Sequence, residues 1–155
     1  MEPSAAPARL RSDRVDEIAE ALPVRATALS RLFMTHTSVG ISRTEIGVLH
    51  VLSERPRRIT ELAAREGVTQ PAITLLVNRL ENRDLVLRTP DPIDRRAVLV
   101  DLTPAGHELL EQLRAEYRAL LHEDMAALDD GDVAALARAV EILDEVIERL
   151  EGGQQ

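Results

Sequence analysis

The sequence predicts a mainly helical fold that carries a small β-hairpin, which places it in the α+β class. Apolar residues make up 45% of the 155 residues but aromatic residues only 1%, so the core must be built from Leu, Val, Ile and Ala, which favours helices. Apolar residues also recur at helical spacing along most of the chain. Only between about residues 86 and 102 does the spacing change to the alternation of strands.

The composition excludes several kinds of protein. The chain has no cysteine, which excludes disulfides, thiolate metal sites and cysteine-based redox sensing. The four histidines lack metal-ligand spacing, because Glu111 stands where a zinc-protease motif starting at His107 needs its second histidine. No phosphate-binding loop or nucleophile elbow is present, so we expect no metal, no cofactor and no enzymatic activity. No apolar run approaches the ~18 residues that a membrane span needs, and we expect a cytoplasmic protein without a membrane partner.

The net charge of −8 is unevenly distributed along the chain. Residues 54–100 contain nine Arg and seven acidic residues, a net charge of +2, whereas residues 101–155 contain four Arg and fourteen acidic residues, a net charge of −10. Every basic residue is Arg, whose forked guanidinium suits phosphate and base contacts. The middle of the chain is therefore the candidate for nucleic-acid contacts.

The beginning of the chain is predicted to contain a tail, a long helix and a loop. Residues 1–12 contain two Pro and small residues, which predicts a flexible tail. Apolar spacing predicts a helix from residue 13 to about residue 36, in which Pro23 should produce a kink or begin a second helix. Residues 37–41 are predicted to form a loop.

The next helix is bounded by clear signals. Ser42 and Glu45 have the Ser-x-x-Glu spacing of a capping box, which predicts that the helix begins at Ser42. Pro56 should end it. Residues 57–59 are predicted to be a short extended link.

Two further short helices follow. Thr60 is expected to cap a helix over residues 61–66, and Gly67 stands where a left-handed residue is needed after a helix. Thr69 is expected to cap the second helix, which has Pro71 in its first turn, where a missing N–H costs nothing.

A β-hairpin and two long helices are predicted for the remainder. Residues 86–89 and 97–102 have strand character, and the loop between them contains two Pro. Thr103 and Pro104 then open a fifth helix that runs to about residue 128. After a turn at residues 129–132, a last helix carries apolar residues from Val133 to Leu150.

The order helix, turn, helix and hairpin predicts a winged helix-turn-helix over residues 42–103. Two short helices can cross closely only if the inner residue is small and the turn residue tolerates a left-handed backbone. Ala63 and Gly67 meet those needs, and Ile73 and Leu76 follow at the spacing that faces back onto the first helix. An ordinary pair of core helices is the alternative, and the hairpin with its paired Arg favours the DNA-binding interpretation.

One face of the helix at residues 70–84 has small, amide and apolar side chains, which suit a major groove. Gln70 and Asn78 could pair with adenine, and Pro71 and Leu75 could touch thymine methyl groups. The residues expected to reach phosphates or base edges are Thr69, Thr74 and Arg79. The alternative is that the polar residues are simply exposed to solvent.

The tip of the hairpin has the sequence Asp94-Arg95-Arg96. An Arg at such a tip can enter the narrow minor groove, so Arg96 is assigned to that groove and Arg95 to a phosphate. A carboxylate two residues earlier could hold the guanidinium, which assigns Asp94 to orienting Arg96. A solvated surface turn is the alternative.

Residues 44–106 resemble the MarR/SlyA family of transcription regulators. The resemblance lies in an Asp-x-Arg wing at residues 91–98, a Leu-Thr-x-x-Gly junction at residues 102–106 and the start of the recognition helix at residues 68–72. The resemblance implies a homodimer that binds a palindromic operator in duplex DNA and represses transcription until a small ligand releases it. A winged-helix protein-interaction module without DNA binding is the second hypothesis, and the intact wing arginines favour the first.

The flanking helices carry more apolar surface than one small winged domain can cover. Residues 13–41 and 104–151 are therefore predicted to form a helical dimerisation region, in which the apolar residues of the last helix follow a heptad-like seam. Packing of these helices within one chain is the alternative. The predicted interface residues are Leu110, Leu113, Tyr117, Leu120, Val133, Leu136, Val140, Leu143, Ile147 and Leu150.

The resemblance also implies an effector pocket near the junction of the first two helices. Arg31, His36 and Arg43 could bind a small anionic aromatic effector there, and His50 lies near the same junction. The alternative is that these residues lie on the surface, or in the core with their hydrogen bonds made.

Overall fold

The computed structural model describes residues 5–94 and 96–153, and it shows a mainly helical chain with one small antiparallel sheet. The predicted α+β class and the winged-helix architecture are confirmed. The elements in chain order are α1 (Ala5–His36), α2 (Arg43–Glu54), β1 (Arg57–Arg58), α3 (Ile59–Arg65), α4 (Gln70–Asn82), β2 (Val86–Pro90), β3 (Val98–Leu102), α5 (Pro104–Ala126) and α6 (Asp130–Gly152).

The chain divides into two compact units, of which the first ends at Glu116 and the second begins at Tyr117. The first unit contains the buried core. Its fully enclosed side chains come from α2, α3, α4, both long strands and the start of α5, and they are Val48, Leu49, Leu52, Leu62, Ile73, Val77, Leu80, Val86, Val100, Leu110 and Leu113. The second unit contains the end of α5 and all of α6.

The sheet has the strand order β1-β3-β2, and both pairings are antiparallel. β2 and β3 form the predicted hairpin, with Val86 opposite Leu102 and Pro90 opposite Val98. The predicted link at residues 57–59 is in part a strand, because Arg57 pairs with Val100. This third strand fastens the hairpin to the helix-turn-helix.

Helix α1 differs from its prediction at its first residue and at Pro23. The structure begins the helix at Ala5, so the tail predicted for residues 1–12 is helical from that residue on, and residues 1–4 lie outside the described residues. The helix also continues through Pro23 without a break. The Thr27 hydroxyl donates to the carbonyl oxygen of Pro23 at 2.8 Å.

The capping box of α2 is confirmed. The Ser42 hydroxyl accepts from the Glu45 backbone N–H at 3.2 Å, and the Glu45 carboxylate accepts from the Ser42 backbone N–H at 2.8 Å. The cap expected at Thr60 is wrong, because α3 already begins at Ile59, with Arg58 as its N-cap. The pairing of Arg58 with Leu99 in the sheet places the start of α3 directly after β1.

The turn before α4 has the predicted backbone. Gly67 has φ of +63°, the left-handed conformation that glycine adopts without strain. Thr69 is the N-cap of α4, but its side chain makes no cap hydrogen bond, which differs from the prediction. Pro71 lies in the first turn as predicted.

The junction between the hairpin and α5 is closely packed. The Thr103 hydroxyl donates to the carbonyl oxygen of Asp84 and accepts from the Gly106 backbone N–H. A Cβ atom on Gly106 would lie 2.2 Å from the carbonyl oxygen of Leu85, so only glycine fits. The Thr-Pro-Ala-Gly segment therefore locks the start of α5 onto the wing.

Two predicted interface residues belong to the core instead. Leu110 and Leu113 are buried within the first unit by residues of the same chain. They leave no surface for a partner, so their assignment to a dimer interface is wrong.

Candidate nucleic-acid interface

Helix α4 is buried on one side and exposed on the other. Ile73, Leu76, Val77 and Leu80 are buried. The exposed side contains every α4 residue that the sequence assigned to DNA, namely Gln70, Pro71, Thr74, Leu75, Asn78 and Arg79, and Thr69 is exposed just before the helix. Leu75 exposes 62% of its surface to solvent, which places a large apolar side chain among the polar ones on this side of α4.

Three of these exposed side chains already have partners within the chain. The Thr74 hydroxyl donates to the carbonyl oxygen of Gln70 at 2.8 Å. The Asn78 Oδ1 atom accepts from the Arg88 guanidinium of β2 at 2.7 Å. Arg79 Nε lies 3.4 Å from a carboxylate oxygen of Glu45.

Glu45 connects the recognition helix to the start of α2. Its carboxylate is nearly buried, and burial by itself would raise its pKa. Hydrogen bonds from Ser42 and the contact with Arg79 outweigh burial, so the pKa of Glu45 lies below its usual value. Glu45 therefore stays charged at neutral pH and holds Arg79 at the edge of the exposed face.

The wing loop is organised around Asp91, which is only 5% exposed. One of its oxygens accepts from the backbone N–H groups of Ile93 and Asp94, at 2.8 and 3.2 Å. The other accepts from Arg58 Nη2 at 2.6 Å and from Arg58 Nε at 3.0 Å. The N–H of Ile93, then Arg58 and then the N–H of Asp94 lower the pKa of Asp91.

Arg58 and Asp91 are positioning residues that the sequence analysis missed. Residues 57–59 were interpreted as a link, so nothing indicated that Arg58 would lie beside the hairpin. The signal for Asp91 was its position before Pro92, since an Asp-Pro pair favours the start of a turn. The Arg58–Asp91 pair fixes the loop that carries the wing arginines.

The tip of the wing differs in part from its prediction. Asp94 accepts from the backbone N–H of Arg96 at 3.1 Å and has Arg58 at 4.0 Å, so it orders the turn and does not hold the Arg96 guanidinium. Arg96 itself is exposed. Arg95 lies outside the described residues.

The four predicted effector residues do not form one cluster. Arg31 lines an open hollow of about 430 Å³ together with Pro23, Val24, Thr27 and Ala28 of α1. The side chains of His36, Arg43 and His50 are exposed and do not line it. Desolvation by surrounding atoms of the chain, and after it the charge of Arg114, lower the pKa of His50.

Most of the predicted interface residues of α6 are exposed along one face. Val140 is 58% exposed and Ile147 51%. The other exposed members of this stripe are Val133, Leu136 and Leu150, and Leu143 is half-buried. On α5, Tyr117 and Leu120 are half-buried. No helix in the described parts of the chain is long and apolar enough to cross a membrane.

Comparisons with known proteins agree with this geometry. The chain is 30% identical over 128 residues to an uncharacterised HTH-type transcriptional regulator of Mycobacterium bovis, a match that covers 81% of this chain and 90% of that protein. It is 37% identical over 81 residues to the HTH-type transcriptional repressor NicR of Pseudomonas putida; this match covers 52% of this chain and 51%, about half, of NicR. The apo form of wild-type MarR from E. coli has a similar fold, with a TM-score of 0.70, 26% identity and coverage of 81% of this chain and 96% of that chain.

A helix with an exposed groove-facing side, set on a helix-turn-helix core beside a β-hairpin, defines a winged helix-turn-helix DNA-binding regulator. The relatives are named as transcriptional regulators and repressors, not as enzymes. The chain belongs to the MarR family, whose family model matches residues 41–98. The family resemblance found in the sequence is thereby confirmed.

Proposed function

We propose that a homodimer of this chain, acting in the cytoplasm, represses transcription by binding a palindromic operator. Each chain places α4 in a major groove and its wing in the adjacent minor groove. The observation that carries the proposal is that α4 exposes a face of small, amide and apolar side chains while its opposite face is buried. Next to α4 is a wing loop that hydrogen bonds to Asp91 order before DNA binds.

The exposed face of α4 matches the chemistry of a major groove. The groove presents thymine methyl groups together with hydrogen-bond donors and acceptors on each base pair. Leu75 and Pro71 supply apolar contact, and Gln70 and Asn78 supply amides. Thr69 and Thr74 lie near the helix N-terminus, which attracts phosphate.

The wing matches the chemistry of a minor groove. Arg96 is exposed beyond the last pair of the hairpin, and an arginine is attracted by the strong negative potential of a narrow minor groove. The Asp91 hydrogen bonds and the Arg58 pair order the loop in advance. Because less loop ordering is needed on binding, more of the contact energy contributes to affinity.

The apolar stripe of α6 supports a dimer. Its members recur at alternating spacings of three and four residues, which is the pattern of a helical seam, and nearly all are exposed in the single chain. A second copy covers the stripe by twofold symmetry. Two recognition helices then face half-sites about 34–36 Å apart, one turn of duplex.

The wing assignment is tested by titrating duplexes, selected from a random library, with the purified protein. Arg96→Ala should weaken binding by ~1–3 kcal/mol and reduce the salt slope by about one ion, since one contact between a cation and the minor groove is lost. Arg118→Ala removes the same charge from the exposed side of α5 and should leave both quantities unchanged. Equal affinities for wild type and Arg96→Ala would remove the wing from the interface. A wild type that binds no duplex would favour the second hypothesis, a protein-interaction module without DNA binding.

The dimer assignment is tested by sizing the protein in solution. Leu143→Glu places a charge in the stripe and should give monomers that lose operator affinity, because the two half-sites no longer act together. Ile142→Glu is the matched control, since Ile142 is also an exposed apolar residue of α6 but points away from the stripe. A monomeric wild type, or an equal effect of both variants, would contradict the assignment.

The proposed effector is a small aromatic anion that binds in the hollow at Arg31 and weakens DNA binding. The hollow is large enough for a single ring and combines the apolar side chains of Pro23 and Val24 with one cation. Benzoate is the simplest probe, and it should weaken operator binding by the wild type more than by Arg31→Met. Arg25→Met, on the same helix but outside the lining, should respond as the wild type does. Equal responses of all three proteins would remove the hollow from the proposal.

A further inference from the structure

We propose that Arg88 on β2 fixes Asn78 as a hydrogen-bond donor toward DNA, so that this position of α4 selects a base that presents acceptors, guanine above all. The proposal rests on the proposed insertion of α4 in the major groove. It assigns Arg88 as a positioning residue for base specificity.

The identity of the facing atoms follows from the chemistry of arginine. Arg88 Nη2 and the Asn78 side chain are 2.7 Å apart. A guanidinium has only donors, so the amide atom that faces it must be the carbonyl oxygen. The NH₂ group of Asn78 therefore points away from the Arg88 guanidinium, and Asn78 is an exposed residue of α4.

Arg88 is itself held from two sides. Its backbone pairs with Val100 in the centre of the sheet. Its second terminal nitrogen, Nη1, donates to the carboxylate of Glu81, three residues after Asn78 on the same side of α4. The fork of the guanidinium thus spans Asn78 and Glu81, and both partners belong to the recognition helix. The amide orientation is set before DNA binds.

A fixed amide recognises bases differently from a free one. A free Asn pairs with adenine by donating to N7 and accepting from the N6 amine. In this structure the guanidinium already donates to Oδ1, and its positive charge repels the hydrogens of an approaching amine. Guanine presents two acceptors, N7 and O6, to the same edge and cytosine presents only a donor. The expected order of preference is therefore guanine, then thymine or adenine, then cytosine.

This inference replaces the adenine pairing expected from the sequence. That expectation treated Asn78 as a free amide. Arg88 lies ten residues further along, on a different element, so no spacing rule on α4 could reveal the contact.

The experiment is a competitive selection of random duplexes by the full-length protein, followed by measured affinities for all four bases at each half-site position. The position that Asn78 reads is the one whose preference disappears in Asn78→Ala. The wild type should prefer guanine there. Arg88→Met keeps an apolar stem but removes the donors, which frees the amide, and the ratio of adenine to guanine affinity should rise by about tenfold.

Two controls separate the role of Arg88 in specificity from loss of charge or of folding. Arg83→Met removes one charge at the end of the same helix and should weaken binding to all sequences without changing the base order. Arg88→Lys retains a donor for Asn78 and should keep the guanine preference. An adenine preference in the wild type, or an unchanged base order in Arg88→Met, would overturn the inference while leaving the DNA-binding function intact. Failure of the wild type to select any duplex would instead overturn the proposed function, and this inference with it.

Discussion

The winged unit, which runs from α2 to the start of α5, buries many of its large aliphatic residues, whereas α6 leaves most of its own exposed. From α2 to the start of α5, large aliphatic side chains are enclosed by the same chain. From Tyr117 onward no described side chain is buried, although α6 has an apolar residue at nearly every third or fourth position. Aliphatic residues recur at helical spacing in both regions, but only the first region buries them within one chain.

This difference separates the two tasks of a regulator. The surface that we propose to face DNA is positioned by contacts that one chain makes alone, such as the Glu45 capping box and the Arg58–Asp91 pair. The helix α6 has a stripe that a single chain leaves open. In the proposed function, base recognition is therefore built into the monomer, whereas the spacing of two recognition helices depends on assembly.

The largest expected effect compares one buried and one exposed aliphatic residue. Leu49→Ala removes a fully enclosed side chain of α2 and should lower the free energy of unfolding by ~2–5 kcal/mol. Val140→Ala, on the exposed stripe, should cost little in dilute solution and more as protein concentration rises and the dimer forms. Urea unfolding at several protein concentrations measures both. A concentration-independent loss of equal size in the two variants would remove the distinction between the units.

The next effect compares two glycines. Gly106→Ala forces a Cβ atom against the carbonyl oxygen of Leu85 and should lower the free energy of unfolding by about 1–3 kcal/mol. Gly152→Ala, at the end of α6, has open space around its Cβ position and should change stability little. Thermal unfolding of both variants is the measurement. A neutral Gly106→Ala would show that α5 and the wing are not locked together.

The elements of the winged unit could be predicted from the sequence because each carries local signals. The Ser42 capping box, the left-handed Gly67 and the Pro71 start of α4 depend on neighbours only a few residues away. The two strands of the hairpin also follow from the change to alternating apolar residues near residues 86–102. Such features need no knowledge of the rest of the chain.

The predictions that are wrong depend on distant residues. Arg58 belongs to a strand only because β3, about forty residues later, pairs with it. Leu110 and Leu113 have the same helical spacing as the stripe residues, so periodicity alone did not separate the chain's own core from the predicted interface. The Asn78–Arg88 contact, which the sequence did not predict, joins helix α4 to strand β2.

The third effect compares the confirmed cap at Ser42 with the cap that was wrongly predicted at Thr60. Ser42→Ala removes the side chain that accepts from the Glu45 N–H and should cost about 0.5–2 kcal/mol of stability. Thr60→Ala should cost much less, because Thr60 lies inside α3 and is exposed. Chemical denaturation of the two variants decides the point. Equal losses would restore Thr60 as a cap.

The smallest effect concerns the place where the winged unit meets the loop after α1. The Glu116 carboxylate accepts from the Ser38 hydroxyl and backbone N–H, from Thr37 Oγ1 and from Gln112. These hydrogen bonds, the Ser38 hydroxyl first, lower the pKa of Glu116 from 4.5 to about 2.

Because the folded-state pKa of Glu116 is depressed, its stabilisation is present above pH ~4.5 and is lost as the pH falls toward about 2. Glu116→Gln should therefore be less stable than the wild type at neutral pH, and the difference should shrink on acidification. Urea unfolding between pH 3 and pH 7 measures this difference, with Glu108→Gln as a control that removes an exposed carboxylate of the same helix. A gap between Glu116→Gln and the wild type that stays constant with pH would show that charge does not hold this loop on α5.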